Sequence, residues 1–298
     1  MKTFANCICD NSSDPSSPIN ALQAAQNVRV VNEWQDDYGK SIVTGRSSGF
    51  TAGYTSNSNA SFSSCMPFIA NGGFTALPPA TTTQTTPILI ASSSTQDSAT
   101  GTGVHGYLLF YMNAAREVLT VVAFLNGTAP VTVPINQVYH FMYGFPITVG
   151  SGQSNAPPGQ VTSNVGTVWV GSGTFNTTTG FVTNYMWNRP GDGFVTSGVY
   201  VVPKDKYGQL LSVKYNSDST VPCQFQVYGR SDRAAPWQLN AEDTVNTTLV
   251  IRRLFTGGYL PTGFELTVLV KKTANTGNVS ANFVMNINEM SAYLFNRG

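Results

Sequence analysis

The sequence has little charge. Asp, Glu, Lys and Arg make up 10% of its 298 residues, against roughly 25% in an average globular protein. Its 16 basic and 15 acidic residues leave a formal net charge of +1. Nucleic-acid binding depends on many Lys and Arg contacts to phosphates, so we expect no nucleic-acid partner. Weak charge repulsion between copies instead favours self-association.

Cysteine and histidine are also scarce. The four cysteines lie at positions 7, 9, 65 and 223 and form no C-x-x-C pair of the kind found in zinc sites. Cys7 and Cys9 are too close together for a relaxed disulfide between them. The only histidines are His105 and His140. We therefore expect no structural metal and no cofactor, and folding in a reducing compartment.

Long apolar runs are missing. No stretch approaches the roughly 18 consecutive apolar residues that indicate a transmembrane helix, so we expect no membrane span. The opening residues, MKTFANCICDNSSDPSS, lack the apolar core of a secretory signal. The sequence thus predicts neither secretion nor a membrane anchor.

The chain from Pro87 onward consists of short segments rich in Val, Thr, Tyr and Phe, separated by Gly, Asn, Pro or Ser. Several alternate, as in Leu266, Val268 and Val270 against the residues between them, a pattern typical of a strand with one buried face. About a dozen such segments predict an all-β fold of β-sandwich or jelly-roll type over residues 88–298. Hairpins are predicted at YMNAARE (111–117) and TANTGN (273–278).

The number of domains in this β-region is left open. Polar stretches at residues 149–164 and 171–180 have the composition of loops. They are consistent with one domain, or with two fused lobes over residues 88–175 and 176–298. Either arrangement satisfies the strand pattern.

Residues 1–87 predict an extended, mostly irregular N-terminal arm. Pro18, with Ser17 as cap, could begin one short helix. From residue 47 to 86 the chain is rich in Ser, Thr, Gly, Asn and Pro, and such a segment cannot bury enough apolar surface to fold alone. Its scattered aromatics, including Phe62, are suited to docking on a neighbouring surface. The arm is expected to lie across its own domain or across another subunit.

Catalytic patterns are not apparent. The sequence has no G-x-S-x-G elbow, and both histidines are more simply explained as strand residues. Most acidic residues of the β-region stand in turn-like contexts, such as AED at 241–243. We therefore expect no enzyme.

One segment, WNRPGDGF at 187–194, combines residues suited to recognition. Trp187 and Arg189 could stack on a sugar or a partner surface, with Asp192 beside them. The simpler alternative is a Pro-Gly turn with a packed Trp187. The three residues are the candidate recognition loop of the sequence.

A larger stretch resembles a known class of proteins. ILIASSSTQDSATGTGVHGYLLFYMNAAREVLTVVAFLNGTAPVTV, followed by NVGTVWVGSG, VYVVPKDKYGQLLSVKY, LPTGFELTVLVKK and NTGNVSANFVMNI, resembles β-sandwich virion structural proteins of tailed phages and large DNA viruses. The resemblance runs from Pro87 to Ile287 and leaves out WNRPGDGF. It implies a β-sandwich capsid component, made in the host cytoplasm and located in the virion, with no catalytic residues to transfer.

These observations predict a virion structural protein, either a minor capsid, a vertex (penton) or a decoration protein. Its partners would be other capsid proteins and copies of itself. The alternative is a receptor- or glycan-binding spike or fibre module that binds a surface glycan or host receptor, motivated by Trp169, Trp187 and Trp237. A carbohydrate-active enzyme on a jelly roll is the third hypothesis.

Overall fold

The protein is all-β, as the sequence predicts. The computed structural model describes residues 59–64, 76–78, 86–152, 164–191, 195–217, 222–245, 249–254, 259–272 and 279–289. The described residues contain no helix long and apolar enough to cross a membrane. Within them lie these strands: β1 Asn59–Ser64, β2 Leu89–Ser92, β3 Val104–Met112, β4 Val118–Phe124, β5 Val131–Thr132, β6 His140–Val149, β7 Val168–Asn176, β8 Gly180–Asn188, β9 Val195–Thr196, β10 Val199–Val201, β11 Lys206–Ser217, β12 Cys223–Arg230, β13 Gln238–Val245, β14 Leu249–Leu254, β15 Glu265–Lys272 and β16 Val279–Glu289.

The first half of the β-region forms one antiparallel, eight-stranded sheet that curls into a nearly closed barrel. Its strand order is β4-β3-β6-β9-β8-β7-β2-β5. Large apolar side chains fill the inside, among them Tyr107, Leu109 and Phe141, all with no exposed surface. Burial of these side chains is the main driving force for the curl.

The second half is a sandwich of two sheets. One sheet has the order β1-β15-β12-β13, with β10 also pairing with β15, and the other has the order β14-β11-β16. Alternate residues of β12, namely Cys223, Phe225 and Val227, face Val213 and Tyr215 of β11 across a shared core. The period-two pattern of the sequence therefore becomes a face-to-face sheet packing.

Strand β15 is buried on both faces. Leu266, Val268 and Val270 enter the sandwich core, as their alternation predicts. Thr267 and Leu269, on the opposite face, are buried as well. The expectation of one buried face is too narrow here, because the second face of β15 is also covered, and Thr267 donates there from Oγ1 to the Gly198 carbonyl at 2.8 Å.

The predicted arm contains one strand, β1, among its described residues. Residues Asn59–Ser64 form a strand that pairs antiparallel with β15 of the same chain, with Ser64 opposite Leu269. This part of the arm therefore docks on its own sandwich. The helix predicted near Pro18 lies outside the described residues.

The predicted connections between strands have different outcomes. The hairpin at residues 111–117 is confirmed, because β3 and β4 pair directly around it. The hairpin predicted at residues 273–278 lies outside the described residues, and the strands on either side, β15 and β16, belong to different sheets. Residues 171–176 are strand rather than loop, and a division at residue 175 falls inside the β7–β8 hairpin. The chain passes from the eight-stranded sheet to the sandwich between β9 and β10.

Glu242 and Asp243 also lie in a strand rather than a turn. They belong to β13, the last strand of its sheet. The segment QLNAEDTV lacks the apolar alternation that predicts a strand, because an edge strand exposes much of its surface and can be polar there.

Candidate functional site

A buried group of charged and aromatic side chains lies where the eight-stranded sheet meets the sandwich. This junction cluster consists of Tyr139, His140, Arg230, Arg233 and Glu265. Glu265 begins β15 and lies directly opposite Arg230, the last residue of β12. His140 begins β6, and Tyr139 directly precedes it. Strand ends from both halves of the molecule are thus brought to one place.

Glu265 is the centre of the cluster and has no exposed surface. Arg230 donates from Nε to Oε2 at 2.6 Å and also contacts this oxygen through Nη2. Arg233 donates from Nε and Nη2 to Oε1, both at 3.1 Å. The Tyr139 hydroxyl donates to the same oxygen at 3.4 Å. Both carboxylate oxygens are therefore satisfied, as a buried charge requires.

Arg233 connects three parts of the chain. Besides Glu265 in the sandwich, its Nη1 donates to the Tyr139 carbonyl at 2.6 Å and to the Pro78 carbonyl at 2.7 Å. Its guanidinium also lies 3.9 Å from the centre of the Tyr139 ring. Burial raises the pKa of Tyr139. The planar fork of Arg suits such simultaneous contacts, which a Lys could not reproduce.

His140 is held as a neutral side chain. Burial, and then the positive charge of Arg233, lower its pKa to about 3. Its Nε2 lies 3.0 Å from the carbonyl oxygen of Val199 in β10. In a neutral ring this nitrogen must carry the proton in order to donate, and Nδ1 has no hydrogen-bond partner among the described residues. Like His105 in β3, His140 is a strand residue, as predicted.

A second buried carboxylate, Asp97, connects the segment that leads into β3 with the segment that leads into β7. It accepts from the Ser92 hydroxyl at 2.6 Å and from the backbone N–H groups of Val104 at 3.1 Å, Val165 at 2.9 Å and Gly166 at 2.8 Å. A Cβ on Gly103 would lie 2.0 Å from Oδ1 of Asp97. The position therefore requires glycine, and Asp97 ties the polar lead-in of β3 to the chain entering β7.

The candidate recognition loop does not present its tryptophan. Trp187 is 2% exposed and packs with Trp169 and Phe181, as the alternative of a packed Trp predicts. Arg189 is half-buried, and its carbonyl accepts from Asn164 Nδ2 at 2.8 Å. Asp192 lies outside the described residues. The loop is thus held by packing and backbone contacts at its start.

The residues of the junction cluster were not among the sequence candidates. RSDR at 230–233 has turn composition, and Glu265 stands inside a strand-like segment. The sequence signal is an acidic residue directly before the mostly apolar segment LTVLV, because an acidic residue needs a partner when it is buried. Its two arginine partners become apparent only when β12 pairs with β15.

Strand β4 provides an exposed apolar surface. It is an edge strand of the eight-stranded sheet. Four of its residues are exposed large apolar residues: Val118 (44%), Leu119 (40%), Val122 (37%) and Phe124 (48%). Phe145 of β6, two strands away, is also exposed. Clustered exposed apolar side chains of this kind mark interaction surfaces.

No protein-family model matches this chain, and no curated protein sequence matches it. Among the described residues, no group of three or more His, Cys, Asp or Glu side chains is placed to hold a metal ion. The two buried carboxylates, Asp97 and Glu265, each have protein donors at both oxygens. The chemistry visible at these sites is that of structural attachment.

Proposed function

We propose that the chain is a virion structural protein, a minor capsid, vertex or decoration protein, that acts through assembly contacts. The observation that supports this most is strand β4, an edge strand with four exposed large apolar residues on a chain with little charge. An apolar surface with little charge around it favours contact with another protein, because burial of that surface is not opposed by charge desolvation.

The internal charges add support. Glu265, Asp97 and the arginines of the junction cluster are used to hold strands and loops in place. A capsid subunit needs such a rigid body, since ordering a flexible one on assembly would cost conformational entropy. The proposed function requires no catalytic residue and no cofactor.

The glycan-binding alternative has less support. Trp169 and Trp187 are buried, and the guanidinium of Arg230 lies 4.2 Å from the centre of the Trp237 ring. A sugar would have to displace that arginine in order to stack on the same face of Trp237. Trp237 is also only partly exposed, because it packs against the apolar cluster that contains Met112 and Val199.

The test is to locate the protein in particles. Antibodies against the full chain would follow it through density-gradient fractions of a culture that expresses it naturally. We expect it to sediment with particles at a fixed ratio to their main shell protein, and cryo-EM density to contain the barrel and sandwich. Recovery only in particle-free fractions would refute the proposal.

A further inference from the structure

We propose that two copies of this chain join edge to edge through β4, which pairs antiparallel with β4 of the second copy around a two-fold axis at Val121. The contact joins two eight-stranded sheets into one continuous sheet. It deepens the proposed function by naming one surface through which assembly proceeds, and it can fail while that function stands.

The pairing of β4 with β3 determines which backbone groups are left over. Leu125 N–H donates to the His105 carbonyl at 2.7 Å, and Asn113 N–H donates to the Glu117 carbonyl at 3.1 Å. In an antiparallel ladder, hydrogen-bonded pairs recur at every second residue. The odd-numbered residues of β4 thus direct their backbone N–H and C=O groups to β3. Strand β4 pairs with no other described strand. The remaining residues direct their N–H and C=O groups to the open edge: Val118, Thr120, Val122 and Phe124.

One two-fold register uses all of these groups. With the axis at Val121, Val118 lies opposite Phe124 of the second copy, and Thr120 lies opposite Val122. Each is an even-numbered residue opposite another even-numbered residue, so each pair can exchange two backbone hydrogen bonds. Moving the axis to Thr120 or Val122 leaves an end of the strand unpaired. The strand is therefore self-complementary in the register centred on Val121.

The side chains agree with this register. Val118, Val122 and Phe124 are exposed on the outer face of β4. Pairing places Val118 against Phe124 of the second copy, and cross-strand pairs of an aromatic with a β-branched residue stabilise sheets. Within each copy the apolar face continues through Phe110 of β3, which stacks on Tyr143 of β6 at 4.6 Å. The joined sheets thus share one apolar outer surface.

The composition of β4 also favours a second copy as the partner. Edge strands of soluble proteins usually carry charge or proline that prevents pairing with another chain. Strand β13, an edge of the sandwich, has Glu242 and Asp243, whereas β4 has no charged residue, proline or glycine. The nearest charge, Glu117, pairs with Lys204 at 3.2 Å. The two-fold places the Glu117 residues of the two copies at opposite ends of the contact.

The first experiment measures self-association of the full chain by light scattering and analytical ultracentrifugation. Val122→Lys puts like charges beside the axis, and we expect it to weaken dimer formation by roughly tenfold or more. Val182→Lys is the matched control, because Val182 is 80% exposed but lies in β8, an inner strand of the same sheet. It should associate as the unchanged chain does, with both variants keeping the unchanged near-UV CD spectrum.

The second experiment tests the register and does not depend on the lysine variant. Residues opposite each other in a non-hydrogen-bonded pair have Cα atoms about 4.5 Å apart, which is within disulfide range. Val121→Cys should therefore give an intermolecular disulfide on mild oxidation. Leu119→Cys, on the same face, lies opposite Ala123 and should give no more covalent dimer than the unchanged chain.

The outcomes separate this inference from the proposed function. A monomeric unchanged chain, or equal dimer formation by the unchanged chain and Val122→Lys, would overturn β4 pairing. Strong cross-linking by Leu119→Cys and none by Val121→Cys would do so too. If such a chain is still found in purified particles, the virion assignment stands and assembly uses another surface. A β4 dimer absent from particles gives the reverse result.

Discussion

Glu265 is a buried carboxylate paired with two arginines. Its carboxylate is fully buried between two guanidinium groups that are only 12% and 17% exposed. Such a cluster is weak evidence for net stability, because burying the charges costs about as much as their attraction returns. Removing one partner is different, because it leaves buried charge without compensation.

Glu265→Gln should therefore lower the free energy of unfolding by about 2–4 kcal/mol, since both arginines lose their counter-charge. Urea denaturation followed by fluorescence would measure the change. Glu117→Gln is the control, because Glu117 pairs with Lys204 at an exposed site. The unfolding midpoint of this variant should hardly change. Equal effects of the two substitutions would contradict the role given to the junction cluster.

His140 is the second residue with a distinct consequence, because its pKa of about 3 lies below the ordinary 6.5. The unfolded chain takes up a proton at His140 as pH falls below 6.5, whereas the folded chain resists until about pH 3. Stability is therefore fully present above pH 6.5 and is lost through this window, by at most about 1.4 kcal/mol for each pH unit.

His140→Gln should remove this component, because the amide can donate to the Val199 carbonyl without titrating. Urea unfolding of both chains between pH 7 and pH 4 gives the comparison. The difference in unfolding free energy between them should shift steadily in favour of the variant as pH falls. Parallel curves over that range would show that His140 titrates normally in the fold.

At the scale of elements, Asp97 decides how the β-region begins. The polar segment before β3 is held by four donors to one carboxylate. Two of those donors, at Val165 and Gly166, come from the approach to β7. The loop that precedes the first long strand is therefore also a clamp on the opposite side of the sheet.

Asp97→Asn should destabilise the chain by about 2–3 kcal/mol, because an amide group must turn a donor toward existing donors. Thermal unfolding and hydrogen exchange at Val165 and Gly166 would register the loss. Asp232→Asn serves as the control, since Asp232 Oδ1 accepts from the N–H groups of Ala234 and Ala235, which an Asn oxygen can also do. Unchanged protection at Val165 and Gly166 in Asp97→Asn would rule out the clamp.

Elements with apolar alternation could be predicted from the sequence, and polar edge strands could not. CQFQVYGR shows the alternation of a half-buried strand and became β12, whose burial follows it residue by residue. QLNAEDTV and NASFSS, which form β13 and β1, lack this pattern because little or none of one face needs to be apolar at an edge. Pairing with a neighbour, which no local window contains, makes them strands.

The junction cluster escaped prediction for a related reason. Arg233 and Glu265 are separated by 32 positions, and Arg233 and Tyr139 by 94. Each residue has an ordinary local explanation as part of a turn or strand. Trp187 shows the same limit, because its local context allowed either a recognition side chain or a packed one, and its burial depends on packing with Trp169 and Phe181.

For the whole molecule, the question is how the barrel and the sandwich hold together. Arg233 bonds to Glu265 of the sandwich and to the Tyr139 carbonyl at the barrel. Met112, Tyr139, Val199 and Val201 form a small apolar cluster across the same junction. The two halves should therefore unfold together despite having separate main cores.

Arg233→Met should weaken the coupling of the halves, because it removes the bonds from Arg233 to Glu265 and to the Tyr139 carbonyl and leaves only the Tyr139–Glu265 and His140–Val199 bonds described above. Calorimetry should show one transition for the unchanged chain and a broadened or divided one for the variant. Arg230→Met is the matched control: Arg230 pairs with the same carboxylate, and its ring contact, Trp237, is not in the barrel. It should lower the midpoint while keeping one transition. Division of the transition by both variants would assign the coupling to Glu265 rather than Arg233.

Strand β1 is synthesised long before its partner strand β15. Ser64 pairs with Leu269, which the ribosome adds 205 residues later (269 − 64), a delay of roughly 10–40 s at ordinary rates of synthesis. Through that interval β1 has no β15 to receive it. On a polysome many chains lie close together, so β15 of one chain can pair with β1 of another chain as soon as it is synthesised. Exchange of β1 between neighbouring chains on one polysome would link subunits while they are still being synthesised.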